Sequence, residues 1–586
     1  MSAFATRVDD FLAELFRLDP VRATDAGFHG HDARWPDMTE AGRSERLAFY
    51  AAWSAELAAM QDAGLGADER IDRDLLLDEL DAFRFTDEEL REECWDPLSW
   101  VYLVGSGLFP LIALEFAPLA ERLASVAGRL EGLPDLLDAA RPLLVGHAGR
   151  PVSRLHAETA LSQLPGIDEL IGEAVQLAEE ALGANPAVAA LQPRLAQAAS
   201  VARDALAAFE THLRETVLPA SRGDGRLGEE LFAARMRHTL RIGDMTPERI
   251  LERAEREYAA VHAEMVRLAR SLWPSWCPDR PAPADDGEVV RAVLDAIAAH
   301  HPQPGELLDY CRAELARIEA FCRQRDLVGL ADEPLEIRWT PTFLRQHAGA
   351  MLVPPGPLDR GQRSFFAITP LPDDWSPEQV ESALREDNDR MLRLLTIHEA
   401  VPGHYLQLAY ANRCPSIARG VFWSGVFAEG WAVYVTQVMM DVGYGADDPA
   451  LLLTNWKFYL RAVINAIVDV RIHCRAMTQD EAVRLMVEGG FQEESEARSK
   501  YNRARLTSTQ LSTYFVGSME LWEIELERRR RLATAAAAPP SAVAARSDGL
   551  PGGLGQTPGF RYREHLEAVL AHGSPPIRLL RRILFD

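Results

Sequence analysis

The chain has 586 residues, of which 47% are hydrophobic and 26% charged, so its composition is that of an ordinary soluble globular protein with a large core. Its formal net charge of -26 argues against nucleic acid as a partner, because a phosphate backbone would be repelled. The acidic start "MSAFATRVDDFLAELFRLDP" lacks a signal-peptide core, and no apolar run reaches the roughly 18 residues of a membrane span, so we expect a cytoplasmic protein without a membrane partner.

Helical patterning dominates the chain from its first residues onwards. Apolar residues recur at spacings of three and four in long segments that end at proline, which is typical of amphipathic helices. In "TPERILERAEREYAAVHAEMVRLARSLWP", Thr246 stands where an N-cap residue is favoured, and the first turn is acidic. These patterns predict a mainly α protein.

Two segments depart from this pattern. Residues 335–370 are rich in β-branched and aromatic residues between prolines and glycines, which predicts two or three short strands. A sheet edge in this position can bind an extended peptide through main-chain hydrogen bonds. Residues 532–558 are rich in Ala, Pro and Gly, and we interpret them as a flexible insertion without a site.

The chemistry of the chain is concentrated in "LLTIHEAVPGHYLQLAY", residues 394–410. The zinc-protease motif H-E-x-x-H places two histidines four residues apart on one face of a helix, with the glutamate between them as general base. Here His404 follows His398 by six residues, which is about 240° around a regular helix, so the simple motif fails. Pro402 and Gly403 supply a bend, and a two-residue bulge would restore a common face.

A lone carboxylate follows in the apolar run "FWSGVFAEGWAVYVTQ". Burial of Glu429 in such a run is costly unless the carboxylate is paired or binds a metal. Two other histidines, His29 and His31 in "GFHGHD", have no partner carboxylate or cysteine at a diagnostic spacing, so we expect no metal site there.

Four motifs occur in order along the chain: "HEAVPGHYLQ", "FAEGWAVY", "DVRIH" and "TYFVG". Together with "FLAELFRLDPVRATDAGFHGHDARWPD" near the start, they resemble the bacterial family called domain of unknown function 885, which is grouped with gluzincin-type metallopeptidases. The resemblance covers nearly the whole chain. It implies a large helical metallopeptidase-like fold of gluzincin or neurolysin type. This fold would be a single unit over residues 1–586, with a central cleft and a small β-sheet next to the active-site helix.

The resemblance also implies a site. By position, His398, His404 and Glu429, which lies 25 residues after His404, become the ligands of one Zn²⁺ per chain, and Glu399 becomes the general base. Zinc would act as a Lewis acid and lower the pKa of its water, whose proton Glu399 would take and pass to the leaving nitrogen. Manganese or cobalt fits the same ligands.

Gluzincins also take an oxyanion donor from a later helix. The candidates in this chain are His473 and Tyr514 as catalytic residues, with Tyr501 and Arg505 as weaker, substrate-binding ones. A guanidinium such as that of Arg505 matches a substrate carboxylate. Structural roles compete with these assignments, because His473 pairs at helical spacing with Asp469, and a tyrosine in an apolar helix often only anchors its hydroxyl.

The resulting prediction is a zinc hydrolase that cleaves an amide bond in a small peptide, using a metal-activated water. Two alternatives stay open: hydrolysis of a non-peptide amide or ester at the same site, and a non-catalytic binding protein on a peptidase-like scaffold. If the acidic charge of the chain extends into the cleft, neutral or cationic substrates are favoured. The oligomeric state is not predicted by the sequence.

Overall fold

Helices form most of the structure and a small β-sheet completes it, which confirms the predicted mainly α fold with a small sheet. The computed structural model describes residues 2–333, 335–340, 350–359, 361–372, 374–538, 543, 549–554 and 556–586. The chain folds into two compact units: unit 1 comprises Met1–Arg226 and Pro355–Gln362, and unit 2 comprises Leu227–Pro354 and Arg363–Asp586. The single unit with a central cleft stays a prediction.

Unit 1 is built from helices of very different lengths. They are α1 (Ala3–Leu18), α2 (Pro20–Asp25), α3 (Glu40–Ala59), α4 (Ala67–Phe85), α5 (Glu92–Trp95), α6 (Pro97–Ala113), α7 (Leu119–Leu143), α8 (Arg154–Ala181), α9 (Pro186–His212) and α10 (Leu218–Ala220). The first helix illustrates how the sequence sets their ends, because the Ser2 side chain accepts a hydrogen bond from the Ala5 amide and Pro20 already begins the next helix. Its buried face includes Phe11 and Leu15, at helical spacing.

Unit 1 also contains a segment that is distant in sequence. Pro355–Gln362 lies between two strands of unit 2 along the chain, yet it belongs to unit 1. The Leu358 amide donates to the Ala26 carbonyl at 2.9 Å, and the two ring nitrogens of His29 lie 2.8 Å from Asp32 and 3.0 Å from Asp359. Burial opposes protonation of His29, but the two carboxylates raise its pKa to about 9. His29 therefore serves as an ion-pair partner in unit 1.

Unit 2 contains the remaining helices. They are α11 (Glu229–Leu240), α12 (Pro247–Trp276), α13 (Asp286–Ala298), α14 (Leu307–Gln324), α15 (Pro377–Glu386), α16 (Asp389–Glu399), α17 (His404–Ala411), α18 (Ile417–Val421), α19 (Gly425–Asp441), α20 (Pro449–Arg475), α21 (Gln479–Arg484), α22 (Glu494–Thr507), α23 (Gln510–Ala535), α24 (Tyr562–Leu570) and α25 (Ile577–Phe585). As predicted, Thr246 caps α12, where its hydroxyl accepts from the Arg249 amide. Within the described residues, none of the helices combines the length and apolar character that a membrane span requires.

The sheet of unit 2 has three strands, β1 (Leu335–Trp339), β2 (Ala350–Val353) and β3 (Ser364–Ile368), in the order β1-β3-β2. The central strand β3 runs parallel to β1 and antiparallel to β2, with Ile337 and Leu352 both opposite Phe366. This confirms the strands expected in residues 335–370, of which residues 341–349 and 360 lie outside the described part.

The sheet and the helix α16 share one apolar cluster. Its buried members come from the sheet and from α14, α15 and α16, and they include Ile337, Phe366, Leu308, Leu384 and Leu392. Because α14 contacts both β1 and α16, this cluster connects the helix that ends in His398 and Glu399 to the strands.

The range 532–558 that was predicted to be a flexible insertion begins inside a helix, since α23 continues to Ala535. Residues 539–542, 544–548 and 555 of this range lie outside the described residues. The helices α24 and α25 follow this range.

Candidate metal centre

The segment between His398 and His404 is a break between two helices. α16 ends at Glu399, the peptide bond between Val401 and Pro402 is cis, and α17 begins at His404. A proline has no amide hydrogen to donate and its ring clashes with the carbonyl four residues back, so the helix cannot pass through Pro402 unchanged. The predicted distortion is confirmed, and it is larger than a two-residue bulge.

Gly403 allows the start of α17 to lie close against the end of α16. A Cβ atom at this position would overlap the backbone carbonyl oxygens of His398 and Ile397. Any side chain would therefore push the start of α17 away from the end of α16. With glycine in place, the rings of His398 and His404 lie 4.8 Å apart between centroids, with their planes at 85°.

Glu429, on the neighbouring helix α19, faces both imidazoles. Its Oε2 lies 3.9 Å from Nε2 of His398 and 3.6 Å from Nε2 of His404, and one ligand atom from each residue lies within 4.8 Å of the others. Donors around a tetrahedral ion with bonds of about 2.1 Å are separated by about 3.4 Å, so the observed spacings and the donor set fit a divalent metal such as zinc. The structure thus brings together all three ligands predicted from the sequence.

The residues after Glu429 in "EGW" fix its surroundings. A Cβ atom on Gly430 would overlap the backbone of Gly517 in α23, so α19 and α23 cross in close contact at this glycine pair. The buried Trp431 donates from its indole nitrogen to the Pro402 carbonyl at 2.9 Å and so holds the connection between α16 and α17. Glu429 is consequently tied to both the connection and α23.

Burial and mutual charge set the protonation of the centre. Burial, followed by the charge of His404, lowers the pKa of His398 to about 3, so its imidazole is neutral as metal coordination requires. Burial alone would raise the pKa of Glu429, but the hydrogen bond with His404 holds that pKa below its usual range. Burial likewise opposes protonation of His404, yet this hydrogen bond raises the pKa of His404.

Glu399 points towards the sheet edge. Burial raises the pKa of its carboxyl to about 7, although the charge of His404 and a hydrogen bond from the Leu352 amide act in the opposite direction. Leu352 belongs to β2, the outer strand of the described sheet on this side. The predicted general base therefore lies between the two histidines, His398 and His404, and a strand edge.

Tyr514 lies beside Glu429, as expected for a donor from a later helix. Its hydroxyl accepts hydrogen bonds from Arg503 at 3.3 Å and from Gln510 at 3.2 Å, which leaves its own hydrogen available to a substrate. Burial and then the charge of Glu429 raise the pKa of Tyr514 to about 12, so the hydroxyl keeps its proton at neutral pH.

The other oxyanion candidate, His473, is placed elsewhere. Its Nδ1 accepts from the Leu227 amide at 3.1 Å, its Nε2 lies 3.0 Å from the Ala504 carbonyl, and its ring stacks on Phe232. Phe458, which contacts the His398 ring, lies 15 residues earlier in α20, about 22 Å along the helix. His473 therefore has a structural role, and the structure does not bring it to the metal ligands.

Tyr501 and Arg505 also point away from the centre. The Arg505 guanidinium lies over the Tyr501 ring at 4.6 Å, and the Tyr501 hydroxyl donates to the Met477 carbonyl. Arg503 is two residues from each of them, about 200° around α22, and occupies the opposite face, where it contacts Tyr514. The arginine that faces the site is thus Arg503 and not Arg505.

Sequence reasoning also missed a basic cluster next to the site, formed by Lys457, Arg461 and Lys500 with Glu386 and Glu496. Lys457 and Arg461 each lie 3.1 Å from Glu386, and Lys500 lies 3.3 Å from Glu496, which also pairs with Arg461. The sequence did contain a signal for this cluster, because Lys457 and Lys500 are the only lysines in the chain. The buried Asp387 also interacts with Lys457 and Arg461, so three carboxylates accompany the three cations of this cluster.

Comparison with known proteins places the chain among bacterial relatives. The profile of the family described as "Bacterial protein of unknown function (DUF885)" matches residues 20–584. A proposed lipoprotein of unknown function from Shewanella oneidensis has a similar structure, with a TM-score of 0.81, 28% identity and 100% of both chains covered. A proposed lipoprotein from Colwellia psychrerythraea shares the fold, with a TM-score of 0.74 and 17% identity over 97% of this chain and 95% of that one. No curated protein matches the sequence.

Proposed function

The chain belongs to the DUF885 family of bacterial proteins, and we propose that it is a zinc-dependent hydrolase of gluzincin type that cleaves an amide bond in small peptides. The observation that carries this proposal is the convergence of His398, His404 and Glu429, with ligand atoms within 4.8 Å of one another, beside Glu399. A bound divalent ion would supply Lewis acidity and make a water molecule more acidic.

The residues of the chain supply the proton transfers. A carboxyl with a pKa of about 7, as in Glu399, can take a proton from the attacking water and return it to the leaving nitrogen near neutral pH. The Tyr514 hydroxyl, whose hydrogen is not used by Arg503 or Gln510, donates to the oxygen on which negative charge develops.

The sheet edge favours a peptide over other amides and esters. The Leu352 amide points from β2 towards Glu399, and an extended peptide laid antiparallel along such an edge is held by main-chain hydrogen bonds. This arrangement would place successive peptide carbonyls next to the general base.

Metal analysis tests the centre directly. We expect one zinc ion per chain in the purified protein, and loss of that zinc in His404→Ala with retained helical circular dichroism. A protein that holds no zinc and whose thermal midpoint does not change when zinc is added contradicts the proposed centre.

Turnover tests the chemistry separately. The Glu399→Gln variant should keep its zinc and lose at least about 100-fold in kcat on a tripeptide mixture, because the water loses its proton acceptor. Full activity of this variant would show that Glu399 is not the general base. Parallel assays on aryl esters and on non-peptide amides distinguish a peptidase from the alternative hydrolases.

A further inference from the structure

An unusual arginine lies at the edge of the metal centre. Arg503 is exposed, and its guanidinium donates to the Gln510 side chain at 3.0 Å and to the Tyr514 hydroxyl at 3.3 Å, both neutral groups. Within the described part of the chain, Arg503 forms no ion pair with a carboxylate. By contrast, Arg498 on the same helix pairs with Glu494 at 2.7 Å. Arg503 is therefore a fixed cation whose charge is available to a ligand.

The surroundings hold this cation in position without neutralising it. Gln510 contacts both Arg503 and Tyr514, so the three side chains form a closed triangle of hydrogen bonds. Glu429 interacts electrostatically with Arg503, but this carboxylate is paired with His404 at 3.6 Å. Arg461 of the basic cluster also interacts electrostatically with Tyr514 and His398.

The position of Arg503 next to Tyr514 limits how far from the cleaved bond a group bound by Arg503 can lie. If Tyr514 donates to the oxygen of the cleaved carbonyl, a group bound by Arg503 lies one residue beyond the cleaved bond. In a peptide, the carbonyl carbon of one residue and that of the next are separated by three bonds, about 3–4 Å. The free carboxylate of a C-terminal residue would reach the guanidinium at that distance.

We propose that Arg503 binds the free C-terminal carboxylate of the substrate, so that the protein removes a single residue from the C-terminus of a short peptide. A planar guanidinium with two hydrogen-bonded neighbours is well suited to a carboxylate, because it offers further N–H donors in a fixed plane. The inference rests on the proposed hydrolase function and adds the end of the peptide at which cleavage occurs.

Peptides with and without a free carboxylate test the inference. Zinc-loaded protein is incubated with an equimolar tripeptide library in the free-acid form and with the same library as C-terminal amides, and products are identified by mass spectrometry. We expect release of single C-terminal amino acids from the free acids and at least 30-fold slower cleavage of the amides.

Substitutions assign this preference to one side chain. Arg503→Gln should lower kcat/KM for the free acids by about 100-fold and abolish the preference over amides, whereas Arg503→Lys should retain part of it. Arg498→Gln is the matched control, an exposed arginine of the same helix, and should behave as wild type. Equal cleavage of acids and amides by the wild-type protein, or an unchanged preference in Arg503→Gln, overturns the inference.

A binding measurement separates this inference from the proposed function. In the Glu399→Gln background, calorimetry with the free-acid library and the amide library reports recognition without turnover. If the acids bind and this binding is lost on adding Arg503→Gln, carboxylate recognition by Arg503 is supported. Absence of peptide cleavage by the wild-type protein would then count against the proposed hydrolase function but not against the role of Arg503. Binding of acids and amides with equal affinity refutes the role of Arg503.

Discussion

Replacing Gly403 by alanine should dismantle the metal centre through a single methyl group. The Cβ atom of the alanine would overlap the carbonyl oxygens of His398 and Ile397, and the backbone at the start of α17 would have to move by about 1 Å or more to remove the overlap. Metal sites tolerate ligand displacements of only about 0.2 Å, so the His404 imidazole would leave its place beside Glu429.

We expect the zinc affinity of Gly403→Ala to fall by at least about 100-fold, which is the upper range for changes that only misorient a ligand. Overlap with backbone atoms should also lower the free energy of unfolding of the metal-free protein by about 1–3 kcal/mol. Zinc affinity is measured by competition with a chromogenic chelator, and stability by differential scanning calorimetry after removal of the metal.

Gly425→Ala is the matched control, because no atom lies within 4 Å of the Cβ position at this first residue of α19. This variant should bind zinc as the wild-type protein does and be equally or slightly more stable. If Gly403→Ala binds zinc with wild-type affinity, the close approach of α17 to α16 is not what places His404 in the centre.

Three further substitutions probe the surroundings of the centre. Trp431→Phe leaves the buried Pro402 carbonyl without its donor, so stability should fall by about 1–3 kcal/mol and zinc affinity should fall with it; an unchanged thermal midpoint contradicts this. Gly517→Ala forces α23 away from α19, so Tyr514 should lose contact with the site and kcat should fall while zinc content stays at one per chain. Burial lowers the pKa of His565 to about 3 from an unfolded value near 6.5, so its contribution to stability is complete above pH 6.5 and is lost as pH falls. Relative to His565→Gln, the wild-type protein should lose about 2 kcal/mol between pH 7 and pH 5 in urea unfolding, and parallel pH profiles would refute the assignment.

The break between His398 and His404 could be predicted from the sequence because its signals are local. Pro402 and Gly403 stand between the histidines, and both act on the backbone at their own positions, so the end of one helix and the start of another follow from a few residues. The sequence of α19 shows only that a single carboxylate in an apolar helix requires a partner, and the assignment of Glu429 as a ligand came from the resemblance to gluzincins. The full extent of the break could not be predicted, because it also depends on Trp431 binding the Pro402 carbonyl from another helix.

The substrate side of the site depends on tertiary contacts and was harder to predict. His473 and Tyr514 are equally plausible donors in the sequence, but the partners of His473 come from residues 246 and 31 positions away. The choice between Arg503 and Arg505 depends on the rotation of α22 about its axis, which is fixed when Arg505 and Tyr501 stack on each other and Tyr501 binds Met477. The sequence alone gives two arginines two residues apart and does not specify which of them α22 turns towards the site.

The segment Pro355–Gln362 has a consequence for how the chain is synthesised. Unit 1 requires this segment, in which Asp359 binds His29, although the rest of unit 1 ends at Arg226. At translation rates of about 5–20 residues per second, a ribosome needs roughly 7–27 s to proceed from residue 226 to residue 362. During that interval the first 226 residues have been synthesised, but the place where Leu358 and Asp359 later bind is still unfilled. Cutting the gene after Arg226 would make the gap permanent in one fragment and leave the other with eight residues that have no binding site.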